Sequence, residues 1–432
     1  MSHLTIIALG SRGDVLPCVV LGHGLQTAGF SVRVITFANF EPMVTRYGLD
    51  FEPVPGDAEA LLSGRGGIAL AESGQSIWRM WRSVKALFWD LTTAIADVLS
   101  QPHIWQTDAI INQLPGGLYG ADLAEKLRIP LITAAVIPLV RTRSFPMVAF
   151  PRWPALLPGY NALTYRLAEQ IVWSGFRRAT NRWRREVLRL PERPFLGNFG
   201  QLSQSPTLLG FSQAVVPRPP DWGDNVHYTG FWQPEEPAWT PPSTLVEFLA
   251  VGPPPIFVGF GSMAVRNPQR VTQMVMEAIR RTGQRAVLQA GWAGLGQGAL
   301  PETVYLLDYA PYRWLFPKMA AVVHHGGSGT TGFGLWAGVP TIITPFLFDQ
   351  FYWGRRIQAL GVGRAPVPHK KLTAARLAAA IETAVSDPDM RRRATDLGRR
   401  LQQEDGIAAA VAVVRQLLGE TPQKTIKSGV IV

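Results

Sequence analysis

Short apolar runs alternate with helical patterns along both halves of this chain, and no other feature restricts the fold as strongly. The pattern predicts strands at residues 4–9, 31–37, 108–112 and 130–136, and again at 255–260, 285–291, 304–309, 320–324 and 340–344. Strands that alternate with helices form parallel sheets with helices on both faces. A chain of 432 residues is too long for one ordinary core. We therefore expect an α/β protein with two doubly wound, Rossmann-like domains.

A stretch rich in proline and tryptophan separates the two halves. Residues 216–242 lack helical periodicity and are predicted to form an interdomain linker. This division gives an N-terminal domain at 1–215, a C-terminal domain at 243–405, and a last helix with a tail at 406–432. Ligands of doubly wound sheets bind at the carboxyl ends of the strands. The functional site is therefore expected in a cleft where the two domains face each other.

The composition is typical of a well-packed protein in a reducing compartment. Hydrophobic residues make up 47% of the chain, which argues against disorder, and Cys18 is the single cysteine. The N-terminus lacks the basic flank and long apolar run of a signal peptide. The uncharged run at 319–348 contains six glycines and two prolines, which disfavour a membrane-spanning helix. We expect a cytoplasmic protein that is at most peripheral at a membrane.

The net charge of +11 is unevenly distributed, and residues 176–193 are especially rich in arginine. The segment is interpreted first as a solvated helix face. The interleaved Phe176, Trp183 and Leu188 keep a second interpretation open, in which the segment contacts a membrane surface. Nucleic acid is not an expected partner, because no nucleic-acid-binding module accompanies the basic segment.

The glycine-rich sequence VVHHGGSGTTG at 322–332 follows a predicted strand and opens a predicted helix. The free N–H groups and the dipole at a helix start attract anions, and glycine lets the backbone approach a ligand closely. A diphosphate is therefore the expected ligand. Gly327, Gly329 and Gly332 also fit the G-x-G-x-x-G spacing of NAD(P)-dependent oxidoreductases. NAD(P) binding would give the preceding His324 and His325 no role. A third possibility is a tight turn between strand and helix that binds no ligand.

Residues 324–363 resemble the donor-binding segment of family 1 glycosyltransferases, which are nucleotide-sugar enzymes with the two-domain GT-B fold. The motifs HHGGSGTT, AGVP and PFLFDQ, together with GSRGD at 10–14, make the sequence most similar to the branch of sterol and antibiotic glycosyltransferases. The resemblance implies an enzyme that binds its nucleotide sugar to the C-terminal domain and its acceptor to the N-terminal domain.

The resemblance also implies roles for individual residues. The histidine that opens the motif contacts the donor diphosphate, and backbone amides after it hold the phosphates. An Asp-Gln pair hydrogen-bonds the sugar hydroxyls, a serine after an earlier strand contacts a phosphate, and an aromatic segment packs on the nucleobase. The implied donor-binding residues are Ser262, Tyr309, Trp314, His324, Gly327, Ser328, Gly329, Thr330, Asp349 and Gln350. Ser11 and Arg12 are additional candidates for donor contact.

Asp14 in the GSRGD motif is the candidate catalytic base. In the branch that this chain resembles, the aspartate of the motif is proposed to take the proton of the acceptor hydroxyl. A carboxylate is a weak base for an alcohol, but burial in the cleft would raise its pKa. The alternative is that Asp14 only caps the helix that follows. The implied reaction is a single displacement that inverts the sugar configuration.

Two features bear on cofactors and on the choice of donor. Asp387 and Asp389 match a D-x-D metal motif, but they precede a predicted helix, so we interpret them as helix-capping residues and expect no metal cofactor. Plant-type relatives carry a ribose-binding glutamate where this chain has Gly332. The choice between a UDP-sugar, which is favoured, and a dTDP-sugar therefore stays open.

Two aromatic segments, 73–106 and 143–160, predict a greasy acceptor cleft in the N-terminal domain, although the first has the spacing of a helix that packs in a core. The predicted function is transfer of a hexose, glucose being favoured, to a hydroxyl of a lipophilic acceptor such as a sterol or terpenoid. The main alternative is a dTDP-sugar-dependent glycosyltransferase of natural products such as polyketides, macrolides or glycopeptides.

Overall fold

The computed structural model describes residues 2–419, except 58, 61–91, 115–117, 153–156, 197–203, 236–238, 264, 266, 292 and 297. The described residues form two parallel sheets. The first sheet has the strand order β3-β2-β1-β4-β5-β6-β7. Its strands are β1 His3–Ile7, β2 Ser31–Phe37, β3 Asp50–Val54, β4 Ala109–Gln113, β5 Leu131–Ala135, β6 Thr207–Leu209 and β7 Val226–Tyr228.

The second sheet has five strands in the order β10-β9-β8-β11-β12. All of its strand pairs are parallel, as they are in the first sheet. Its strands are β8 Ile256–Gly259, β9 Ala286–Gln289, β10 Val304–Leu307, β11 Ala321–His324 and β12 Thr341–Ile343.

Helices connect the strands and cover both sheets. In the first half they are α1 Arg12–Thr27, α2 Glu41–Arg46, α3 Leu118–Leu127 and α4 Tyr160–Trp183, with a further helical segment at 92–99. In the second half they are α5 Ser243–Ala250, α6 Pro268–Thr282, α7 Tyr312–Leu315, α8 Ser328–Trp336, α9 Gln350–Leu360, α10 Ala374–Ser386, α11 Pro388–Gln402 and α12 Gly406–Leu417.

Burial explains why these sequences form parallel sheets. Every residue of β4, β5, β8 and β11 is buried, so these strands are covered on both faces, as parallel strands usually are. The crossovers place helices on the two faces of each sheet and leave the carboxyl ends of the strands at one edge. The predicted fold of two Rossmann-like domains is confirmed.

The domain boundaries need one correction. The predicted linker at 216–242 contains β7, which pairs in parallel with β6 and forms the edge of the first sheet. The sequence VHY was overlooked because a strand of three residues gives no readable alternation. The short strand β6 and the 24-residue helix α4 were also not predicted as such.

The last helix, α12, returns to the first domain. A side chain at Gly24 of α1 would overlap Ile407 of α12, since an added Cβ would lie 2.1 Å from the Ile407 Cγ2. The two crossings between the domains also touch, because a Cβ at Gly406 would lie 2.5 Å from the carbonyl oxygen of Phe231. The predicted segment at 406–432 therefore begins with a helix that joins both domains.

Part of the arginine-rich segment at 176–193 is internal. Arg184 is only 3% exposed and pairs with Asp122 and Glu125 of α3. Arg193 pairs with the same two carboxylates. Burial raises the pKa of Asp122, whereas the two guanidinium groups oppose that shift. These arginines therefore stabilise the N-terminal domain and do not belong to a solvated face.

No described helix is long and apolar enough to cross a membrane.

Replacing Arg184 by Met should destabilise the protein strongly. The change leaves the nearly buried carboxylate of Asp122 with one cation instead of two, and breaking a buried ion pair in this way costs about 3–5 kcal/mol. Thermal unfolding measures the effect as a fall in Tm. The matched control is Arg178→Met on the exposed side of α4, which should leave Tm unchanged. Equal Tm values for the two variants would contradict the internal role of Arg184.

Candidate active site

The candidate site lies where the carboxyl edges of the two sheets meet. Helix α1 starts after β1 in the first domain, and α8 and α9 start after β11 and β12 in the second. The hydroxyl of Ser328, at the start of α8, donates a hydrogen bond of 2.5 Å to the carbonyl oxygen of Val136, just after β5. The start of α8 thus contacts the opposite domain directly.

Asp14 is fixed by the loop that precedes it. Its Oδ2 accepts hydrogen bonds from the backbone N–H and the hydroxyl of Ser11, both at 2.8 Å. Gly10 allows this arrangement, because its φ is +143° and an added Cβ would lie 2.5 Å from the same Oδ2. The bond to the Ser11 N–H confirms the capping role that was the alternative interpretation of Asp14. The other oxygen, Oδ1, accepts no hydrogen bond from the described residues.

Asp349 stands on the other side of the cleft, immediately before α9. It occupies the capping position but makes no capping hydrogen bond. Instead, its Oδ2 accepts the indole N–H of Trp353 at 2.9 Å. Phe348, the preceding residue, has a positive φ of 51°, which is uncommon for a large side chain and found where surrounding contacts enforce it. The Asp349 side chain is thus held by Trp353 of α9 and not by the N–H groups at the start of the helix.

The carboxylates of Asp14 and Asp349 interact although they belong to different domains. Burial, and secondly the negative charge of Asp14, raise the pKa of Asp349 to about 7. Burial also raises the pKa of Asp14, and the two hydrogen bonds from Ser11 oppose this shift. Asp349 is therefore partly protonated at neutral pH, and it lies close enough to Asp14 to be affected by the charge of that carboxylate.

His324, the predicted diphosphate ligand, is completely buried at the end of β11. Its Nδ1 accepts the N–H of Gly326 at 3.0 Å, so the proton of the neutral ring lies on Nε2. Burial, together with the neighbouring His325, keeps the pKa of His324 well below its ordinary value. Nε2 has no partner among the described residues. A buried donor without a partner fits a site that binds an anionic group.

His325 separates two glycine loops of the second domain. An added Cβ at Gly261, after β8, would lie 2.9 Å from its Cε1, and one at Gly327 would lie 2.5 Å from its Nε2. Both glycines are therefore required by the imidazole of His325. Ser262 lies in the turn that follows Gly261, which brings the two predicted phosphate-binding loops together. This spacing role of His325 was not predicted.

The start of α8 has the form of an anion site. Gly327 is the N-cap, so the amides of Ser328, Gly329 and Thr330 belong to the first turn, where N–H groups have no partner within the helix. A Cβ at Gly329 would meet nothing within 4 Å, so open space adjoins this turn. Thr331 donates its hydroxyl to the carbonyl oxygen of Gly327.

Gln350 holds the loop before α9. It is 4% exposed, and its Oε1 accepts the backbone N–H groups of Phe346 and Leu347 at 2.8 and 3.2 Å. Its Nε2 lies 3.3 Å from the sulfur of Met263, beside Ser262. A sugar contact was predicted for Gln350 from the sequence, whereas its role in holding this loop was not. Only its amide nitrogen can bind a ligand, and doing so would replace the weak contact with the Met263 sulfur.

The predicted nucleobase segment divides between the surface and the core. Tyr309 is 40% exposed. Trp314 is partly buried and packs edge to face against Trp239, with ring centroids 5.1 Å apart. Burial raises the pKa of Tyr312, between them, to about 12, and the charge of Arg12 opposes this shift. Arg12, on α1 of the other domain, therefore lies close enough to affect the charge of Tyr312.

The structure explains the departure at Gly332. A Cβ at this position would lie 2.6 Å from the ring of Phe231, so the glutamate of plant-type relatives does not fit here. The contact joins two segments that are a hundred residues apart, and no sequence pattern predicts it.

The predicted capping role of Asp387 is confirmed. Its Oδ1 accepts the N–H groups of Asp389 and Met390, both at 3.0 Å, at the start of α11. Among the residues that the structure describes, no cluster of three or more histidine, cysteine or acidic residues is arranged as a metal site.

The structure describes only part of the two aromatic segments that are predicted to form the acceptor cleft. Most of 73–106, namely 73–91, lies outside the described residues, and Trp105 donates its indole N–H to the carbonyl oxygen of Leu99. In 143–160, residues 147–150 are buried in the core of the first domain. Phe145 reaches across to Tyr352 of α9, with ring centroids 5.5 Å apart. This segment therefore borders the cleft.

Two Rossmann-like domains that face each other across a cleft define the GT-B class of proteins. Comparison with family models agrees with this assignment. Residues 4–146 match the glycosyltransferase family 28 N-terminal domain. Residues 273–410 match the C-terminal domain of erythromycin biosynthesis protein CIII-like proteins.

Similar curated proteins are sterol 3-beta-glucosyltransferases. One from Emericella nidulans is 37% identical over 96% of this chain, which spans 30% of its length. One from Arabidopsis thaliana is 36% identical over 95% of this chain, which spans 64% of its length. The crystal structure of a glycosyltransferase of kitacinnamycin shares the fold, with a TM-score of 0.69, 19% identity, and coverage of 96% of this chain and 98% of the other.

The chain belongs to the family 1 glycosyltransferases. This assignment removes the oxidoreductase alternative for the glycine-rich loop.

Replacing Asp349 by Asn should increase stability in a pH-dependent manner. Because burial raises the pKa of Asp349 from its ordinary value near 4 to about 7, the folded state binds this proton more tightly than the unfolded chain. The stability of the wild-type protein therefore falls as the pH rises from about 4 to 7. The gain in Tm on substitution should grow over this range and stay constant above it. Glu247→Gln, at an exposed position of α5, is the control, and a pH-independent gain for Asp349→Asn would contradict the assignment.

Proposed function

We propose that this glycosyltransferase transfers glucose from a UDP-sugar to a hydroxyl of a sterol or a similar lipophilic alcohol. The observation that supports the proposal most is that α1, which carries the predicted base Asp14, packs against α8, whose start carries the predicted diphosphate site. The names of the similar proteins favour a sterol as acceptor. Because the chain spans only part of those proteins, the acceptor is a proposal for this chain.

Asp14 acts as the general base in the proposed reaction. Ser11 fixes its Oδ2, so Oδ1 is left to accept the proton of the acceptor hydroxyl. The acceptor oxygen then forms a bond to the anomeric carbon while the bond from that carbon to the phosphate oxygen breaks. The bonding electrons leave with the nucleoside diphosphate. Attack from the face opposite the leaving group inverts the configuration at the anomeric carbon.

The second domain stabilises the leaving group. The amides at the start of α8 and the Nε2–H of His324 donate to the diphosphate, where negative charge develops. Arg12 adds a positive charge from the other domain. These fixed dipoles and charges act without a metal ion in the proposed mechanism. Asp349, oriented by Trp353, positions the sugar hydroxyls, and the ring of Tyr309 lies beside the nucleobase.

The site of action follows from the acceptor. A sterol is dissolved in lipid, so the protein has to contact a membrane surface to reach it. The proposal therefore places the protein in the cytoplasm, peripherally attached to a membrane.

A donor and acceptor screen tests the proposal. UDP-glucose and dTDP-glucose are each incubated with a mixture of sterols and other lipophilic alcohols, with and without EDTA, and the products are identified by mass spectrometry. A sterol glucoside formed from UDP-glucose, with the anomeric configuration inverted in its NMR spectrum, is the expected product. If the protein uses only dTDP-glucose, the proposed UDP-sugar donor is wrong. Loss of activity in the presence of EDTA would contradict a mechanism without a metal ion.

Replacing Asp14 by Asn should lower kcat by roughly 10²–10⁴, because the general base is lost while the shape of the side chain is kept. UDP binding, measured by calorimetry, should change little. Asp405→Asn, at the cap of α12, controls for a purely structural effect of losing a capping carboxylate. An Asp14→Asn variant with unaltered kcat would contradict the role of the base.

Replacing His324 by Ala should weaken UDP binding by roughly ten-fold, the value of about one hydrogen bond to a charged group. His324→Gln restores an N–H donor on a side chain of similar reach and should recover part of the affinity. His103→Ala is the control, since His103 is exposed in the first domain and pairs with Glu52 there. If all three variants bind UDP as the wild type does, His324 is not a diphosphate ligand.

A further inference from the structure

Exposed apolar side chains are concentrated on one part of the first domain. Six of the ten large hydrophobic side chains that are exposed among the described residues lie between positions 157 and 196. Five of them are at least 44% exposed, and we call these five the α4 surface: Leu157, Leu163, Leu167, Phe195 and Leu196.

Hydrogen bonds place the two parts of the α4 surface side by side. The amide of Gln170 donates to the carbonyl oxygen of Phe195, and the indole of Trp173 donates to that of Pro194, both at 3.0 Å. The chain at 194–196 therefore lies along the middle of α4. Leu163 and Leu167 are four residues apart and share one side of the helix with Gln170. Leu163, Leu167 and the chain at 194–196 thus lie along the same helix, with their apolar side chains exposed.

Arginines follow these apolar side chains toward the end of α4. Arg166, Arg178 and Arg182 are exposed. The guanidinium of Arg177 lies 5.4 Å from the centre of the Phe195 ring. A shallow cavity of about 210 Å³ is lined by Arg177, Arg178, Asn181, Arg182, Arg185 and Glu192.

The charges of this cavity are strongly unbalanced. Glu192 is its single acidic residue, and it is paired with Arg185. Arg177, Arg178 and Arg182 have no ion-pair partner among the described residues. A cavity of this size and charge fits the phosphate of a lipid headgroup, and apolar side chains beside it fit the upper part of the acyl chains.

The α4 surface adjoins the side of the cleft where the acceptor segment lies. Thr164, next to Leu163, accepts the backbone N–H of Met147 at 2.9 Å. Tyr160, in the first turn of α4, donates its hydroxyl to the carbonyl oxygen of Pro151. The same segment, through Phe145, contacts Tyr352 at the cleft.

We propose that the α4 surface docks the protein on a bilayer that contains anionic lipids, with Phe195, Leu196 and the leucines inserted among the headgroups and the arginines on lipid phosphates. The arginine-rich segment at 176–193 is then only partly involved, since Arg184 and Arg193 are used internally. The reason for such docking rests on the proposed function. Docking at this place would present the acceptor segment to an alcohol that is dissolved in the membrane. The docking itself is measured separately.

Vesicle sedimentation tests the docking with the full chain. The wild type should bind vesicles of phosphatidylcholine and phosphatidylglycerol more strongly than vesicles of phosphatidylcholine alone, and salt should weaken the binding. The double variant Phe195→Ser/Leu196→Ser should lower the bound fraction roughly ten-fold, and Arg178→Glu/Arg182→Glu should abolish the preference for anionic vesicles. Val246→Ser/Val251→Ser, which removes two exposed apolar side chains of the other domain, should bind as the wild type does.

Three outcomes would overturn the docking: a wild type that binds neither vesicle, double variants that bind as the wild type does, or a control variant that loses binding equally. Light scattering distinguishes a further outcome, in which the serine variant changes the oligomeric state and leaves vesicle binding intact. The α4 surface would then be an interface between copies of the chain. Glucose transfer to a sterol in detergent micelles should be the same in all variants. Its absence in the wild type would count against the proposed function and leave the vesicle result valid.

Discussion

The hydrogen bond between Trp353 and Asp349 connects the packing between the domains to the site. The indole of Trp353 is completely buried, so its N–H requires an acceptor, and the carboxylate of Asp349 supplies it. The ring also meets Phe211 of the first domain edge to face, with centroids 6.0 Å apart. Any movement that separates Phe211 from Trp353 loosens the residue that orients Asp349. The contact between the domains and the position of the Asp349 carboxylate therefore depend on the same side chain.

Much of the fold could be predicted from local sequence patterns, and the errors have physical reasons. The predicted bounds of the strand at 31–37 are those of β2 in the structure. This prediction succeeds because the apolar run is long and both of its ends are clearly marked in the sequence. The helix that follows β1 begins at Arg12, inside the GSRGD motif. The hydrogen bond that the Ser11 N–H donates to Asp14 stabilises this start. Short strands such as β7 escape prediction because pairing with a neighbouring strand, not their own pattern, defines them.

The site was predictable in its parts but not in its arrangement. The resemblance to family 1 glycosyltransferases pointed to Asp14 and Asp349 separately, and each lies at the cleft. Their interaction depends on how the two domains meet, which no local pattern encodes. The same holds for Phe231, which fills the space beside Gly332, and for His325, whose ring lies between two glycine loops. Buried arginines such as Arg184 look like surface residues in the sequence because their partners are about sixty positions away.

The two chain crossings between the domains lie against each other at Gly230 and Gly406, where there is no room for a side chain: a Cβ at Gly230 would lie 3.0 Å from the carboxylate of Glu404. Because the two crossings are in contact, a displacement of one domain relative to the other has to move both segments together. A larger side chain at either crossing would therefore disturb how the two domains are placed relative to each other.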